Sequence, residues 1–214
     1  MRAYRYHATG SPPRIDEVAE PVPGAGEVLV RVHYASLNPV DWKLADGSFR
    51  WLVHGGHPRT MGSDFSGVVA ALGPGVGGFG IGQRVHGFID PFARPLGTFA
   101  ELVPVPDDFV FPLPDAVSLR DGAALPCAGV SAVTICNLGA VTRNSRVLVN
   151  GASGGVGHLA VQVAKARGAW VAATASAVRR EFVESLGADA FVDYAGTPAD
   201  RWPAGFDAVL DCVP

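Results

Sequence analysis

Three apolar residues suited to a buried strand, Val147, Leu148 and Val149, run into Asn150-Gly151-Ala152-Ser153-Gly154-Gly155-Val156-Gly157. The chain then resumes as His158-Leu159-Ala160-Val161-Gln162-Val163-Ala164, the pattern of a helix packed on a strand. Few folds join a buried strand to a helix through so many glycines. In the register G-x-G-x-x-G, Ala152, Gly154 and Gly157 occupy the three small positions, which serve a tight turn, a close backbone approach to phosphate, and close packing of helix on strand. The helix then directs free N–H groups and the positive end of its dipole at an anion. With Ser153, Gly155 and Val156 the segment reads as a loop that holds a dinucleotide pyrophosphate. A glycine triplet alone can also be a flexible turn. Against that stands a second apolar strand at residues 170–174, at the spacing a βαβ unit requires.

The second strand bears on which dinucleotide is bound. A site for NAD places an Asp or Glu roughly twenty residues past the glycines, where it accepts from the ribose 2′-hydroxyl. Here the strand runs out as Thr174-Ala175-Ser176 and continues Ala177-Val178-Arg179-Arg180. Hydroxyls and cations stand where a carboxylate would repel a 2′-phosphate, so the expected cofactor is NADP(H). The competing reading makes Arg179 and Arg180 solvated residues in the first turn of an ordinary surface helix.

At 214 residues, 48% hydrophobic and 17% charged, the chain is a folded protein of one large or two small domains. Its net charge of -3 comes with no Lys/Arg block or basic helix face, so no nucleic-acid partner is expected. Cys127, Cys136 and Cys212 are too scattered for a disulfide framework or a CxxC metal pair, which agrees with a reducing cytosol. The first residues show no apolar core or cleavage site of a signal peptide, and a cytoplasmic location is expected. Residues 122–142 carry no charge and are long enough to span a bilayer. Pro126, Gly129, Ser131, Asn137 and Gly139 instead favour a buried helix with flanking turns, and no membrane association is expected.

The first half is punctuated by Gly and Pro and reads as short strands at 2–7, 27–36, 67–72, 84–88, 98–105 and 109–112. From residue 145 strands at 146–150, 170–174, 190–193 and 207–212 alternate with helices at 155–167 and 178–186. The expected class is α/β: a β-rich, barrel-like domain over 1–120, a helical connector over 121–144, and a doubly wound parallel sheet over 145–214.

Five segments then carry a family resemblance: Ala35-Ser36-Leu37-Asn38-Pro39-Val40-Asp41-Trp42-Lys43, Met61-Gly62-Ser63-Asp64-Phe65-Ser66-Gly67-Val68-Val69, Gly97-Thr98-Phe99-Ala100-Glu101, the glycine loop itself, and Ser185-Leu186-Gly187-Ala188-Asp189. In their order and spacing the chain resembles the medium-chain dehydrogenase/reductase superfamily, in particular its zinc-independent, zeta-crystallin-like quinone oxidoreductases. The resemblance implies a GroES-like N-terminal domain, a Rossmann cofactor domain, and hydride transfer from NADPH to a quinone or conjugated carbonyl in the cleft between them. It also implies a place beside the nicotinamide for Asn38 and one near the nicotinamide ribose for Ser131. Read from the residues alone, Asn38 is as well explained as an Asn capping a turn before Pro39. Lys43 and Tyr34 are candidates for delivering a proton, and no catalytic acid is assigned.

Alcohol dehydrogenases of this superfamily hold a catalytic zinc with a Cys, a His and a second Cys. The matching residues here are Asn38, Ser63 and Cys127, and one thiolate does not hold a metal that requires three protein ligands. No metal is expected, and His33, His54, His57 and His86 read as ordinary surface or loop residues. Relatives continue past the fourth Rossmann strand for roughly a hundred residues. The sequence is therefore expected to be C-terminally truncated, with turnover impaired and the last strand left as an edge that a second copy or a partner chain covers. The alternative function is a non-catalytic nucleotide-binding or structural relative; for the enzyme, the substrate is a small molecule.

Overall fold

The computed structural model describes residues 1–53 and 55–213, so His54 and Pro214 lie outside the described residues. The chain divides into two compact units, Met1–Cys127 and Ala128–Pro214. In chain order the first contains β1 (Arg2–Tyr6), β2 (Arg14–Glu17), β3 (Glu27–Tyr34), α1 (Pro39–Asp46), β4 (Arg59–Thr60), β5 (Asp64–Leu72), β6 (Arg84–Phe88), β7 (Leu102–Pro106), β8 (Val110–Pro112) and α2 (Leu119–Ala124). The division falls just inside α3 (Pro126–Leu138). After it come β9 (Arg146–Asn150), α4 (Gly157–Ala166), β10 (Trp170–Ala175), α5 (Arg180–Ser185), β11 (Ala190–Asp193) and β12 (Ala208–Asp211).

Two antiparallel sheets build the first unit, one of five strands in the order β7-β3-β5-β6-β8 and one of three in the order β2-β1-β4. Val28 and Val30, two apart on β3, point the same way and are fully buried, as the period of a strand demands. They meet Phe65, Val69, Val85, Val103 and Val105 in one apolar core. The β3–β5 ladder slips register between Leu29 and Val30 and again between Val32 and Tyr34. Such slips bend a sheet toward closure. Gly67 makes the bend possible, because a Cβ there would land on the Arg31 carbonyl oxygen and lie 2.9 Å from the Arg31 carbonyl carbon.

Several expected boundaries move. β3 ends at Tyr34, two residues before the expected 36, and β5 begins at Asp64, three before the expected 67. Asp64 and Ser66 are polar yet wholly buried, so the apolar signal of β5 begins late. The strand expected at 98–105 is β7, over 102–106, and Asp107–Phe109 forms a 3-10 turn where another strand was expected to open. β2, β4 and α1 had no counterpart among the expected elements. The signals for α1 lie in the sequence: Pro39 at its first position and Gly47 just past its end, with φ of 92°. The uncharged stretch 122–142 is mostly α3, preceded by the end of α2, and no helix among the described residues is long and apolar enough to cross a membrane.

In the second unit β11-β10-β9-β12 form a parallel sheet. Parallel strands need crossovers and are covered on their faces, which explains their unbroken apolar runs. Val147, Val149, Val171 and Ala173 pack with Ala160, Val161 and Ala164 of α4 and with Ala132 and Cys136 of α3. The helices are shorter than expected: α4 starts at Gly157, and α5 starts at Arg180 after a 3-10 turn at Ala177–Arg179. The order of strands matters most for function. Successive strands step outward from β9 on one side through β10 to β11, and β12 returns to its other side. The carboxyl end of β9 is therefore the point where strand order reverses, the place where such sheets bind ligands.

Candidate functional site

The glycine loop leaves β9 at this switch point. Gly151, with φ of 74°, turns the chain in a conformation that costs a residue with a Cβ. Its amide donates to Thr174 Oγ1 at 3.1 Å, the Thr174 hydroxyl donates to Asn150 Oδ1 at 2.6 Å, and the Ala152 amide donates to the Thr174 carbonyl at 2.8 Å. Thr174 is fully buried, so its side chain clamps the base of the loop and offers nothing to a ligand. Ala152 is buried as well, and Gly157 is buried at the start of α4. A Cβ on Gly157 would fall on the Gly151 carbonyl oxygen, 2.8 Å from its carbonyl carbon and 2.9 Å from Ala152 Cα.

Ser153, Gly154 and Gly155 form the exposed crest of the loop, with Val156 half-buried behind them. A Cβ on Gly155 would meet nothing within 4 Å, and one on Gly154 only the Gly151 oxygen at 3.3 Å. Gly154 has no positive φ; its amide donates to the Gly151 carbonyl at 3.0 Å. The crest is thus bare backbone, and in the first turn of α4 behind it the His158 amide donates to the Gly154 carbonyl at 3.1 Å and the Ala160 amide to the Val156 carbonyl at 2.9 Å. These features fit a pyrophosphate. Ala152, Gly157 and Thr174 support the loop from within.

At the carboxyl end of β10, half-buried Ser176 opens the 3-10 turn that bears Arg179. The two arginines differ. Arg180 Nη1 lies 3.1 Å from Glu184 Oε1, and its guanidinium sits 4.3 Å from the centre of the Phe191 ring. Arg179 is exposed and forms no ion pair among the described residues. No carboxylate stands between Thr174 and Arg180. Ser131 lies half-buried on α3 in the same unit.

Asn38, Ser63 and Cys127 belong to the first unit, where two buried acids tie them together. Asp41 accepts the Asn38 backbone amide at 2.7 Å and the Ser63 hydroxyl at 2.8 Å. Asp64 accepts the Asn38 side-chain amide at 2.9 Å, the Ser36 hydroxyl at 2.8 Å and the Cys127 backbone amide at 3.0 Å. Asp41 is 2% exposed and Asp64 fully buried. Burial pushes both carboxyls above the usual range; the donors oppose it, and for Asp64 the neighbouring charge of Asp41 adds to it. Asn38 is the N-cap of α1, so its position as a cap and its place in this cluster are both realised. The signal for the cluster was the pair Asp41 and Asp64, whose spacing in sequence says nothing of their meeting. Lys43 stands apart from it, its Nζ 5.6 Å from the Trp42 ring centre and 5.8 Å from that of Phe49, and Tyr34 is exposed.

Burial pushes the Cys127 thiol up to about 11, with the charges of Asp64 and Asp41 adding to the effect. A neutral thiol is a poor metal ligand and a poor nucleophile. Alkylation of Cys127 by iodoacetamide, followed by peptide mass mapping, is expected to accelerate with pH up to about 11. A rate that levels off near the ordinary thiol range would show that neither burial nor the two acids hold the thiol neutral. Among the described residues no group of three His, Cys, Asp or Glu side chains could hold a metal ion.

Comparison with known proteins bears on both units. Residues 24–115 match the family model of the alcohol dehydrogenase GroES-like domain, and residues 155–214 that of the zinc-binding dehydrogenases. A chloroplast envelope quinone oxidoreductase homolog of Arabidopsis thaliana is 37% identical over 208 residues, which cover 92% of this chain and 62% of the relative. The quinone oxidoreductase of Coxiella burnetii superposes with a TM-score of 0.91 at 32% identity, over 99% of this chain and 68% of that one. The quinone oxidoreductase of Thermus thermophilus, solved also in complex with NADPH, gives a TM-score of 0.82 at 31% identity, over 98% and 65%. The chain thus spans about two-thirds of the length of these proteins.

Proposed function

The chain belongs to the medium-chain dehydrogenase/reductase superfamily, and we propose that it serves as an NADP(H)-dependent, zinc-independent oxidoreductase that reduces a quinone or an α,β-unsaturated carbonyl. The bare crest of Ser153, Gly154 and Gly155 at the switch point of the parallel sheet carries this reading. Ser153, Gly154, Gly155 and Val156 would hold the pyrophosphate, Ser176 and Arg179 the 2′-phosphate, and Ser131 the ribose next to the nicotinamide. When bound, the reduced nicotinamide supplies hydride. Ala152, Gly157 and Thr174 keep the loop in shape from within.

Zinc independence rests on chemistry at three positions. Asn38 and Ser63 replace a thiolate and an imidazole, and the remaining Cys127 is held as a neutral thiol. Without a metal, the substrate carbonyl receives less positive potential. A quinone or enone tolerates this, because the negative charge that hydride addition creates is spread over the hydroquinone or enolate. A simple aldehyde has no such relief.

The test is a steady-state assay of the 214-residue chain with NADPH and a panel of short quinones, enals and saturated aldehydes, alongside metal analysis of the purified protein. Slow oxidation of NADPH by quinones or enals, with still less response to the saturated aldehydes and no stoichiometric zinc, is the expected result. Tight NADPH binding with no turnover of any acceptor would instead identify a nucleotide-binding relative. Stoichiometric zinc, or preference for simple aldehydes, would overturn the reading.

A further inference from the structure

Gly154 and Gly155 stand side by side on the exposed crest, and the peptide unit between them is the part of the loop with least to hold it. Neither residue has a Cβ, so this unit can turn over at little steric cost. Its orientation matters to an anion. The peptide bond is trans, and its C=O and N–H therefore point to opposite sides. Presented one way the unit attracts a phosphate oxygen; turned over, it sets a carbonyl oxygen against it.

His158 decides between the two. Its backbone amide donates to the Gly154 carbonyl at 3.1 Å, and its ring Nδ1 lies 2.9 Å from the same oxygen. A carbonyl oxygen only accepts, so Nδ1 carries the hydrogen of this bond. The half-buried ring is kept in place by Phe182 of α5, the two ring centres 6.2 Å apart. With the Gly154 oxygen drawn toward α4, the Gly155 amide points away from the helix, and it has no acceptor among the described residues. In the sequence His158 is simply the residue that follows the glycines, and nothing there assigns it a role.

We propose that His158 is a positioning residue for the pyrophosphate: its ring N–H holds the Gly154 carbonyl inward, so that the Gly155 amide is presented to a phosphate oxygen. The idea deepens the function proposed above and rests on it. Loop, His158 and Phe182 all belong to the second unit. Without the ring donor, a single backbone hydrogen bond at the end of α4 is left to oppose the turning of the Gly154–Gly155 peptide.

Calorimetric titration of the 214-residue chain with two fragments of the cofactor tests this. 2′-Phospho-ADP-ribose carries the pyrophosphate, and adenosine 2′-monophosphate lacks it. In His158→Phe an aromatic ring still faces Phe182 but the donor is gone, and affinity for 2′-phospho-ADP-ribose should fall about fivefold, the worth of one hydrogen bond. Affinity for adenosine 2′-monophosphate should not change. His158→Asn, whose side-chain N–H can take the place of the ring Nδ1–H, should recover most of the loss. Should His158→Phe fail to fold by circular dichroism, His158→Leu carries the same test. Unchanged affinity for 2′-phospho-ADP-ribose in the donor-free variant, or an equal loss for both fragments, would overturn the proposal and leave the proposed function standing. A parent protein that binds 2′-phospho-ADP-ribose no more tightly than adenosine 2′-monophosphate would overturn the reading of the loop as a pyrophosphate site, and this inference with it.

Discussion

Gly157→Ala is expected to destabilise the second unit by about 2–4 kcal/mol, although it adds a single methyl group to a helix. Alanine is the better helix former, and at an exposed position the change would stabilise. Here the new Cβ falls on the Gly151 carbonyl oxygen and within 2.9 Å of Ala152 Cα. Both obstacles are backbone. Gly151 is fixed by the hydrogen bond its amide donates to Thr174 Oγ1 and by its own left-handed φ, so the loop cannot retreat without giving up the clamp at its base. The remaining response is for α4 to move off β9, which opens the core around Ala160, Val161 and Ala164. Gly154→Val is the matching control. Its nearest obstacle is a single oxygen at 3.3 Å and its backbone angle is an ordinary one, so the stability change should stay within about 1 kcal/mol. The added side chain would occupy the crest where the pyrophosphate is proposed to sit, and NADPH binding should be lost. Thermal melting by circular dichroism together with NADPH titration separates the two effects. Unchanged NADPH affinity in Gly154→Val would mean that these glycines form only a turn.

NADPH is expected to bind more tightly than NADH by roughly tenfold to over a hundredfold, the worth of a charge-assisted contact to the 2′-phosphate. The two arginines should not share this effect equally. Arg180 already faces Glu184 and lies over Phe191, and turning it to a ligand would break both contacts. Arg179 has no ion pair to give up among the described residues and follows closely on Ser176 at the carboxyl end of β10. Arg179→Ala should therefore remove most of the preference while leaving NADH affinity nearly unchanged, and Arg180→Ala should cost little. The preference should also weaken as salt is added, since an exposed contact of this kind is screened. Equal affinity for both dinucleotides in the parent protein would sink the assignment. Equal losses in the two variants would show that Arg180 abandons Glu184 when the cofactor binds.

The sequence by itself determined the parts of this protein whose causes are local. A run of Val and Leu, then glycines, then a helical pattern allows one chain path, because strand periodicity, turn sterics and helix termini each act over a few residues. The βαβ order and the missing acid after β10 were readable for the same reason. The start of α1 was equally local, and Pro39 and Gly47 mark both its ends. What only the tertiary structure decided involves residues far apart in the chain. Thr174 sits beside the loop as a hydroxyl that could face a ribose, yet it is drawn inward to bind Asn150 and Gly151 across two strands. Arg179 and Arg180 are adjacent and chemically identical, and Glu184 and Phe191 distinguish them. In the sequence Asp41 and Asp64 belong to two separate segments, 35–43 and 61–69, and neither points to the other. Folding buries both and sets them to hold Asn38, Ser63 and Cys127, with 63 residues separating Asp64 from Cys127. A buried carboxyl persists only where several donors converge on it. That convergence depends on how strands and helices stack, which no local pattern encodes.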